Sequence, residues 1–208
     1  MAGTRVLVVA LAAVSLGGCA VGQKFSYRDS PVNAGSVGAA GSAAVAVLDQ
    51  RAYVRSGKKS ESFVGLSRGG YGNPFDVETR SGASMASDMA TSIASALEAR
   101  GLKIQTVTVR PMAGPDGALQ TLFRTNSNRL LLFTLHEWKT DTMMRTGLDF
   151  DIALDVFDGA GTRLARTQVA GKEVSGASIL SAEKDAQAWF AAKVWELLRD
   201  DAVSKAMR

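Results

Sequence analysis

One serine and one histidine have surroundings that suggest nucleophilic chemistry. Gly65-Leu66-Ser67-Arg68-Gly69 has the G-x-S-x-G spacing of a nucleophile elbow, in which the serine oxygen is exposed at a sharp turn from a strand into a helix. His136 is the single histidine in the sequence and so the single imidazole that could act as a base. The segment that follows, 69–74, is too rich in glycine to begin a helix. The sequence therefore favours a non-enzymatic protein, with a hydrolase using Ser67 and His136 as the alternative.

Acidic residues form a second group with recognisable chemistry. Asp149, Asp151 and Asp155 alternate with apolar residues, so they share one face of a predicted strand, and carboxylates are ligands for divalent cations. A strand with one solvated face shows the same alternation without any ligand. The sequence has no second histidine for a zinc site. We therefore predict no metal site and no other cofactor.

The single cysteine, Cys19, lies where a modification is expected. Arg5 precedes an apolar run, 6–14, and small residues then lead to Leu16-Gly17-Gly18-Cys19. The run is shorter than the roughly 20 residues that span a bilayer as a helix. The last four residues resemble the lipobox of bacterial lipoproteins, which implies cleavage before Cys19 and a diacylglyceryl group on its sulfur. The alternative is an ordinary secretory cleavage site beside a chance cysteine.

A lipid on Cys19 would attach the protein to a membrane. Each buried methylene contributes about 0.8 kcal/mol, so several acyl chains together give lasting attachment. Ala20 follows the cysteine where an aspartate would imply retention in the inner membrane, and the likeness to Gram-negative lipoproteins thus implies the outer membrane. We predict a lipid-anchored protein of the outer membrane that faces the periplasm.

The charge balance argues against nucleic acid as a partner. The net charge is +4, and the basic residues are scattered, with no run longer than Lys58-Lys59. A nucleic-acid-binding face needs clustered lysines and arginines. The predicted partners are the membrane, through Cys19, and an envelope protein. A further alternative is an accessory lipoprotein of an envelope transporter, which would co-purify with an inner-membrane complex.

The composition, 46% hydrophobic and 21% charged, is that of a globular protein. Glycine, alanine and serine dominate the segment after Cys19, which predicts a flexible tether. We predict four parts: a signal peptide at 1–18, the lipidated cysteine and tether at 19–42, a globular domain at 43–200 and a C-terminal tail at 201–208.

Hydrophobic periodicity predicts the elements of the globular domain. Strands are expected where β-branched residues, apolar runs or strict alternation occur, and helices where apolar residues recur every three or four positions. The predicted strands are 43–48, 102–109, 130–135, 148–156 and 164–174, and the predicted helices are 84–100 and 181–199. Glycines and a proline predict irregular turns at 65–74. The result is a single α+β domain with a mixed sheet of about five strands and two helices packed on one face.

Several segments resemble the YajG-type lipoproteins of Gram-negative bacteria. The likeness rests on Leu48-Asp49-Gln50-Arg51 and on Gly72-Asn73-Pro74-Phe75-Asp76-Val77, the more specific of the two. The resemblance implies a lipid-anchored envelope protein without assigned catalytic activity. Loops on a rigid scaffold often carry binding, which makes the glycine-rich loop from Arg68 to Asp76, which includes most of the second block, a candidate partner-binding loop. Its candidate contact residues are Arg68, Tyr71, Asn73, Phe75 and Asp76. The alternative is that they seal a sheet edge.

Overall fold

A computed structural model describes residues 22–35, 41–176 and 181–208. The predicted signal peptide and Cys19 lie outside these residues. The described chain forms one α+β domain, as predicted, but its sheet has eight strands rather than about five. The strands are β1 (Lys24–Phe25), β2 (Ser42–Asp49), β3 (Phe63–Arg68), β4 (Pro74–Thr79), β5 (Lys103–Val107), β6 (Arg129–Thr142), β7 (Thr146–Asp158) and β8 (Arg163–Val174). The helices are α1 (Ala52–Arg55), α2 (Met85–Glu98), α3 (Gly114–Phe123), α4 (Ala182–Leu198) and α5 (Asp201–Ala206), with a 3-10 turn at Pro111–Ala113.

The long strand β6 organises the sheet. One of its edges pairs along its length with antiparallel β7, which in turn pairs with β8. Its other edge is shared, because parallel β2 pairs with the first half, 129–135, and parallel β3 with the last residues, 140–142. β5 extends the sheet beyond β2, and β4 and β1 extend it beyond β3. The sheet therefore forks along β6 and curls.

A buried arginine closes the gap between the two branches of this fork. The Arg51 Nη1 donates to the carbonyl oxygens of Trp138 on β6, at 3.0 Å, and of Phe63 on β3, at 2.9 Å. Its Nε and Nη2 donate to the two carboxylate oxygens of Asp49 at 2.9 and 2.6 Å. Burial lowers the pKa of Arg51, but the hydrogen bonds and charge of Asp49 outweigh that effect and raise it. The guanidinium thus stays charged and takes the place of a missing backbone partner.

Helices cover both faces of the sheet. Alternate residues of β2 point to opposite faces, so that Val45 belongs to one apolar cluster and Ala46 to another. α2, α4 and α5 pack on the first face. α3 packs on the second, through Ala118 and Leu122. The two predicted helices, α2 and α4, do pack on one face, but the predicted helix count was too low: α1, α3 and α5 were missed, and α3 covers the other face.

The helix α2 agrees with its prediction in position and in both ends. The side chain of Ser84 accepts a hydrogen bond from the amide of Ser87 at 3.2 Å, which caps the first turn. Gly101 follows the helix with a φ of 88°, the left-handed conformation expected of a residue that ends a helix.

Part of the segment predicted as a flexible tether belongs to the core. Phe25, Tyr27 and Ala34 are buried, and Tyr27 Oη accepts a hydrogen bond from Trp138 Nε1 at 2.8 Å. Gly35 has a φ of +60°, and a Cβ there would lie 2.1 Å from the ring of Trp195. Residues 22–35 are therefore packed against the domain, and the prediction of a tether was wrong for them.

The C-terminal residues are also part of the domain rather than a tail. Asp200 caps α5 by accepting from the amides of Ala202 and Val203. Val203 and Met207 are buried in the main cluster. Arg129 Nε on β6 donates to the carbonyl oxygen of Ala206 at 2.6 Å, which fixes the end of the chain to the sheet.

Candidate functional site

The segment predicted as irregular turns is a β-hairpin. β3 and β4 pair in antiparallel fashion up to the pair Arg68 and Pro74, and 69–73 form the tip. Gly69 N donates to the Asn73 carbonyl at 3.0 Å, and Gly72 N to the Gly69 carbonyl at 2.7 Å. Of the tip glycines, Gly72 alone needs a left-handed backbone, with a φ of 81°. The hairpin therefore presents a short, internally bonded tip.

The charged residues predicted as contacts are held by ion pairs. The Arg68 guanidinium binds both carboxylate oxygens of Asp141, from Nε at 2.7 Å and from Nη2 at 2.6 Å. Hydrogen bonds to Asp141 and its charge raise the pKa of Arg68. Asp76 pairs with the ammonium group of Lys59. These groups fix the hairpin to neighbouring segments, in keeping with the alternative that they seal the sheet.

The uncharged members of the predicted set are placed differently from one another. Phe75 is half-buried, with its ring against Gly69, and the exposed Asn73 contributes its carbonyl oxygen to the tip. Tyr71 is 99% exposed at the point of the tip. Tyr71 is thus the predicted contact residue best placed to meet a partner.

A second hairpin tip lies beside the first. β6 and β7 are joined at 143–145, where Met143 is exposed and Met144 is 78% exposed. Ser67 on β3 is in register with Thr142 on parallel β6, so both strands end at the same level. The Arg68–Asp141 pair links the two hairpins just below their tips.

Val174, at the end of β8, adds a fourth apolar side chain at this end of the sheet. It pairs with Gly147 on β7, next to the second tip, and is 66% exposed. Eight large apolar side chains are exposed in the part of the chain that the structure describes, and half of them lie here. We call Tyr71, Met143, Met144 and Val174 the apolar end.

The N-terminal segment enters the domain from the direction of the apolar end. β1 is parallel to β4, with Lys24 opposite Glu78, so residues before Lys24 lie toward the hairpin tip. Gly22, the first described residue, is expected near the level of Asp76 by this register. Cys19 precedes Gly22 by three residues, a span of at most about 10 Å. The predicted lipid attachment point is therefore within about 10 Å of a residue on the strand edge that leads to the first hairpin tip.

The structure separates the serine and the histidine of the proposed catalytic pair. Ser67 is buried and lies at the level of Thr142, whereas His136 is exposed six residues earlier on β6. Six strand residues span about 20 Å, far beyond hydrogen-bond reach. His136 occupies a register shift between Leu135 and Glu137, a bulge at the fork. The pairing of Ser67 with His136 is therefore wrong.

The first glycine of the G-x-S-x-G spacing, Gly65, has a packing explanation. A Cβ at Gly65 would lie 2.1 Å from Thr140 Oγ1 and 2.3 Å from the Thr140 carbonyl oxygen. Glycine is required because β3 and β6 approach closely at this point. Gly65, one of the two glycines that make the sequence match G-x-S-x-G, is therefore explained by strand packing and needs no catalytic role.

The three aspartates of β7 are bound by side chains of neighbouring strands. Lys172 on β8 pairs with Asp149 at 2.9 Å, and Gln168 donates to Asp151 at 2.6 Å. Asp155 is buried, not solvated as predicted. It pairs with Arg166, at 2.7 Å, and with Arg163. Among the described residues, no group of three or more His, Cys, Asp and Glu side chains could hold a metal ion.

A shallow cleft of about 600 Å³ lies at the opposite end of β7 from the apolar end. α3 and the turn between β7 and β8 form its walls, with Phe123, Arg124 and Gly161 among the lining residues. None of the predicted contact residues reaches this cleft.

Within the described chain, no helix is long and apolar enough to cross a bilayer.

Sequence reasoning missed Met143, Met144 and Val174, because exposed apolar residues in turns have no periodic signal. A weak signal was present in the adjacent pair of methionines that follows a long apolar strand. The structural role of Arg51 was also missed, because the segment 48–51 was named only for its resemblance to a family.

Neither a protein-family model nor a curated protein matches the sequence. Among solved structures, the fold is similar to that of protein XCC0632 from Xanthomonas campestris, of family model DUF330, with a TM-score of 0.51 and 12% identity over 89% of this chain and 95% of that one. The lipoprotein GNA1162 from Neisseria meningitidis gives a TM-score of 0.42 and 11% identity over 74% of this chain and 96% of that one. The first likeness shows the fold. Neither assigns an activity, and the YajG-type resemblance is not confirmed.

Proposed function

We propose that this protein is a lipid-anchored lipoprotein of the bacterial envelope, attached through Cys19 and facing the periplasm, with a structural or partner-binding role rather than a catalytic one. The lipobox-like residues Leu16 to Cys19 support the anchor. The absence of aspartate after Cys19 supports the outer membrane as its destination.

The observation that carries the proposal is the fixed entry of the N-terminal segment. Phe25 and Tyr27 are buried, and Ser26 N donates to Glu183 Oε1 on α4 at 2.8 Å. With only Ala20 and Val21 between Cys19 and Gly22, an acylated cysteine would hold this domain within about 10 Å of its attachment point. Because the link between the anchor and the packed N-terminal segment is so short, the domain would act at the membrane surface.

The separation of Ser67 and His136 supports a non-enzymatic role. A nucleophilic serine needs a base within hydrogen-bond reach, and His136 lies about 20 Å away along β6. We expect the purified protein to hydrolyse generic esters no faster than its Ser67→Ala variant. A clear loss of ester hydrolysis in the Ser67→Ala variant would contradict the non-enzymatic role and support the hydrolase alternative.

Metabolic labelling with radioactive palmitate tests the anchor. We expect label on the wild-type protein and none on Cys19→Ser. Ala20→Ser is the matched control, since it changes the neighbouring residue and leaves the sulfur in place. An unlabelled wild-type protein would contradict the proposal.

Membrane separation and crosslinking test the location and the partner. On a density gradient that resolves inner from outer membranes, the labelled protein is expected with the outer membranes. Crosslinking in intact cells followed by mass spectrometry is expected to identify an envelope protein as the partner. Recovery in the inner membrane would overturn the location without affecting the anchor.

A further inference from the structure

We propose that the apolar end is a second membrane contact, which inserts Tyr71 and Met144 into the interface of the bilayer that carries the lipid. This inference rests on the proposed anchor at Cys19. It adds an orientation, in which the strand ends at 68–74 and 142–147 point toward the membrane.

Clustering at one end distinguishes these side chains from the scattered exposed apolar residues of any protein. Single exposed apolar residues need no explanation, whereas a group at one end marks a contact surface. Tyr71 and Met144 occupy the tips of two hairpins joined by the Arg68–Asp141 ion pair. They therefore project together from a fixed base.

The chemistry of the apolar end suits the boundary between headgroups and acyl chains. Tyrosine is enriched at that depth because its ring is apolar and its hydroxyl can remain hydrated. Arg145 is exposed beside Met144 and forms no ion pair within the described chain. A free guanidinium at that position complements the phosphates of anionic lipids.

The position of the anchor favours a bilayer, rather than a protein, as the surface that the apolar end contacts. Gly22 lies on the strand edge that leads to the first hairpin tip, and Cys19 is within about 10 Å of Gly22. The acyl chains would therefore enter the membrane at the end of the domain that carries the first hairpin tip. A protein partner at the apolar end would have to fit between the domain and its own anchor.

Site-specific fluorescence on the lipidated full-length protein tests this orientation. Met144→Cys would be labelled with an environment-sensitive dye in vesicles of phosphatidylethanolamine and phosphatidylglycerol. Met112→Cys is the matched control, because Met112 is 74% exposed and lies far from the apolar end. Met112 follows Pro111, whose carbonyl oxygen accepts a hydrogen bond from the side chain of Gln50. The backbone amide of Gln50 donates to Leu135, in the middle of β6 and away from the end of that strand at Thr142.

We expect a blue-shifted emission and quenching by nitroxide lipids at position 144, and neither effect at 112. Equal behaviour at both positions would overturn the inference. If the dye at 144 is shielded only after envelope proteins are added, the occupant is a protein and the bilayer contact is wrong.

A binding measurement gives a second readout. The unlipidated Cys19→Ser protein is expected to bind the same vesicles weakly, and adding Tyr71→Ser and Met144→Ser to it is expected to weaken that binding about tenfold, which corresponds to removing part of two buried side chains. Adding Met112→Ser instead is expected to change nothing. Equal affinities of the two variants would count against insertion.

The same reagents separate failure of the inference from failure of the anchor. An acylated Cys19 cannot react with a thiol dye, so the wild-type protein should remain unlabelled. Labelling of the wild type would show a free cysteine and would contradict the proposed function. An unlabelled wild type combined with equal emission at 144 and 112 would contradict the membrane contact alone.

Discussion

The Nη1 of Arg51 donates a hydrogen bond to the carbonyl oxygen of Trp138 at 3.0 Å, across the fork where β6 leaves β2 and has not yet met β3. The same nitrogen reaches the Phe63 carbonyl on β3. A carbonyl left unpaired in the interior costs free energy comparable to a lost hydrogen bond. The arginine therefore makes a branched sheet possible at this point.

Replacing Arg51 by alanine is expected to destabilise the protein by about 3–5 kcal/mol, because Asp49 would be left as a buried, unpaired charge. Urea unfolding followed by tryptophan fluorescence measures the change. Lys172→Ala serves as the control, since it breaks only the exposed pair with Asp149 and is expected to cost less than about 1 kcal/mol. Equal losses in the two variants would contradict this role of Arg51.

Gly65→Ala is expected to destabilise the protein by at least about 1 kcal/mol, because the added methyl group would overlap the backbone of Thr140. Gly70→Ala, five residues away in the hairpin tip, adds the same methyl group where no atom lies within 4 Å. Thermal unfolding of both variants separates the close approach of two strands from a general effect of alanine. A stable Gly65→Ala would show that β3 and β6 can move apart.

Local patterns predicted the elements that have them. The four-residue spacing of Met85, Met89, Ile93 and Leu97 predicted α2, and each of these residues is buried. The apolar run 130–135 predicted a strand covered on both faces, and β6 is covered in this way by the two apolar clusters. In both cases the information lies within one element.

The remaining errors concern contacts between residues distant in sequence. Tyr27 is ordered by Trp138, which lies 111 residues further along the chain, and no local pattern around Tyr27 reveals that partner. The fork needs a pairing of β3 with the far end of β6, which periodicity cannot supply. The apolar end, likewise, exists only because that pairing brings two hairpin tips together.

The packed C-terminus gives a further prediction. Met207→Ala is expected to lower the free energy of unfolding by about 2–5 kcal/mol, since the side chain is buried against the sheet. Lys205→Ala, two residues earlier and exposed on α5, is expected to have a small effect. Chemical denaturation provides the measurement. If both variants matched the wild type, residues 201–208 would be the free tail that their sequence suggests.

Stability at high pH depends on Tyr27. Burial raises the pKa of its phenol well above the usual value of about 10, so the folded state favours the neutral form. A raised pKa in the folded state means that this stability is complete below about pH 10 and is lost as the pH rises above it. Between pH 8 and pH 11, the urea midpoint of the wild-type protein is expected to fall steeply. The midpoint of Tyr27→Phe is expected to fall less, because its phenyl ring has no proton to lose. Burial also raises the pKa of Tyr53, so the variant should retain part of the loss. Equal falls in the two proteins would mean that Tyr27 is not held in the core, and the fixed entry of the N-terminal segment would then be wrong.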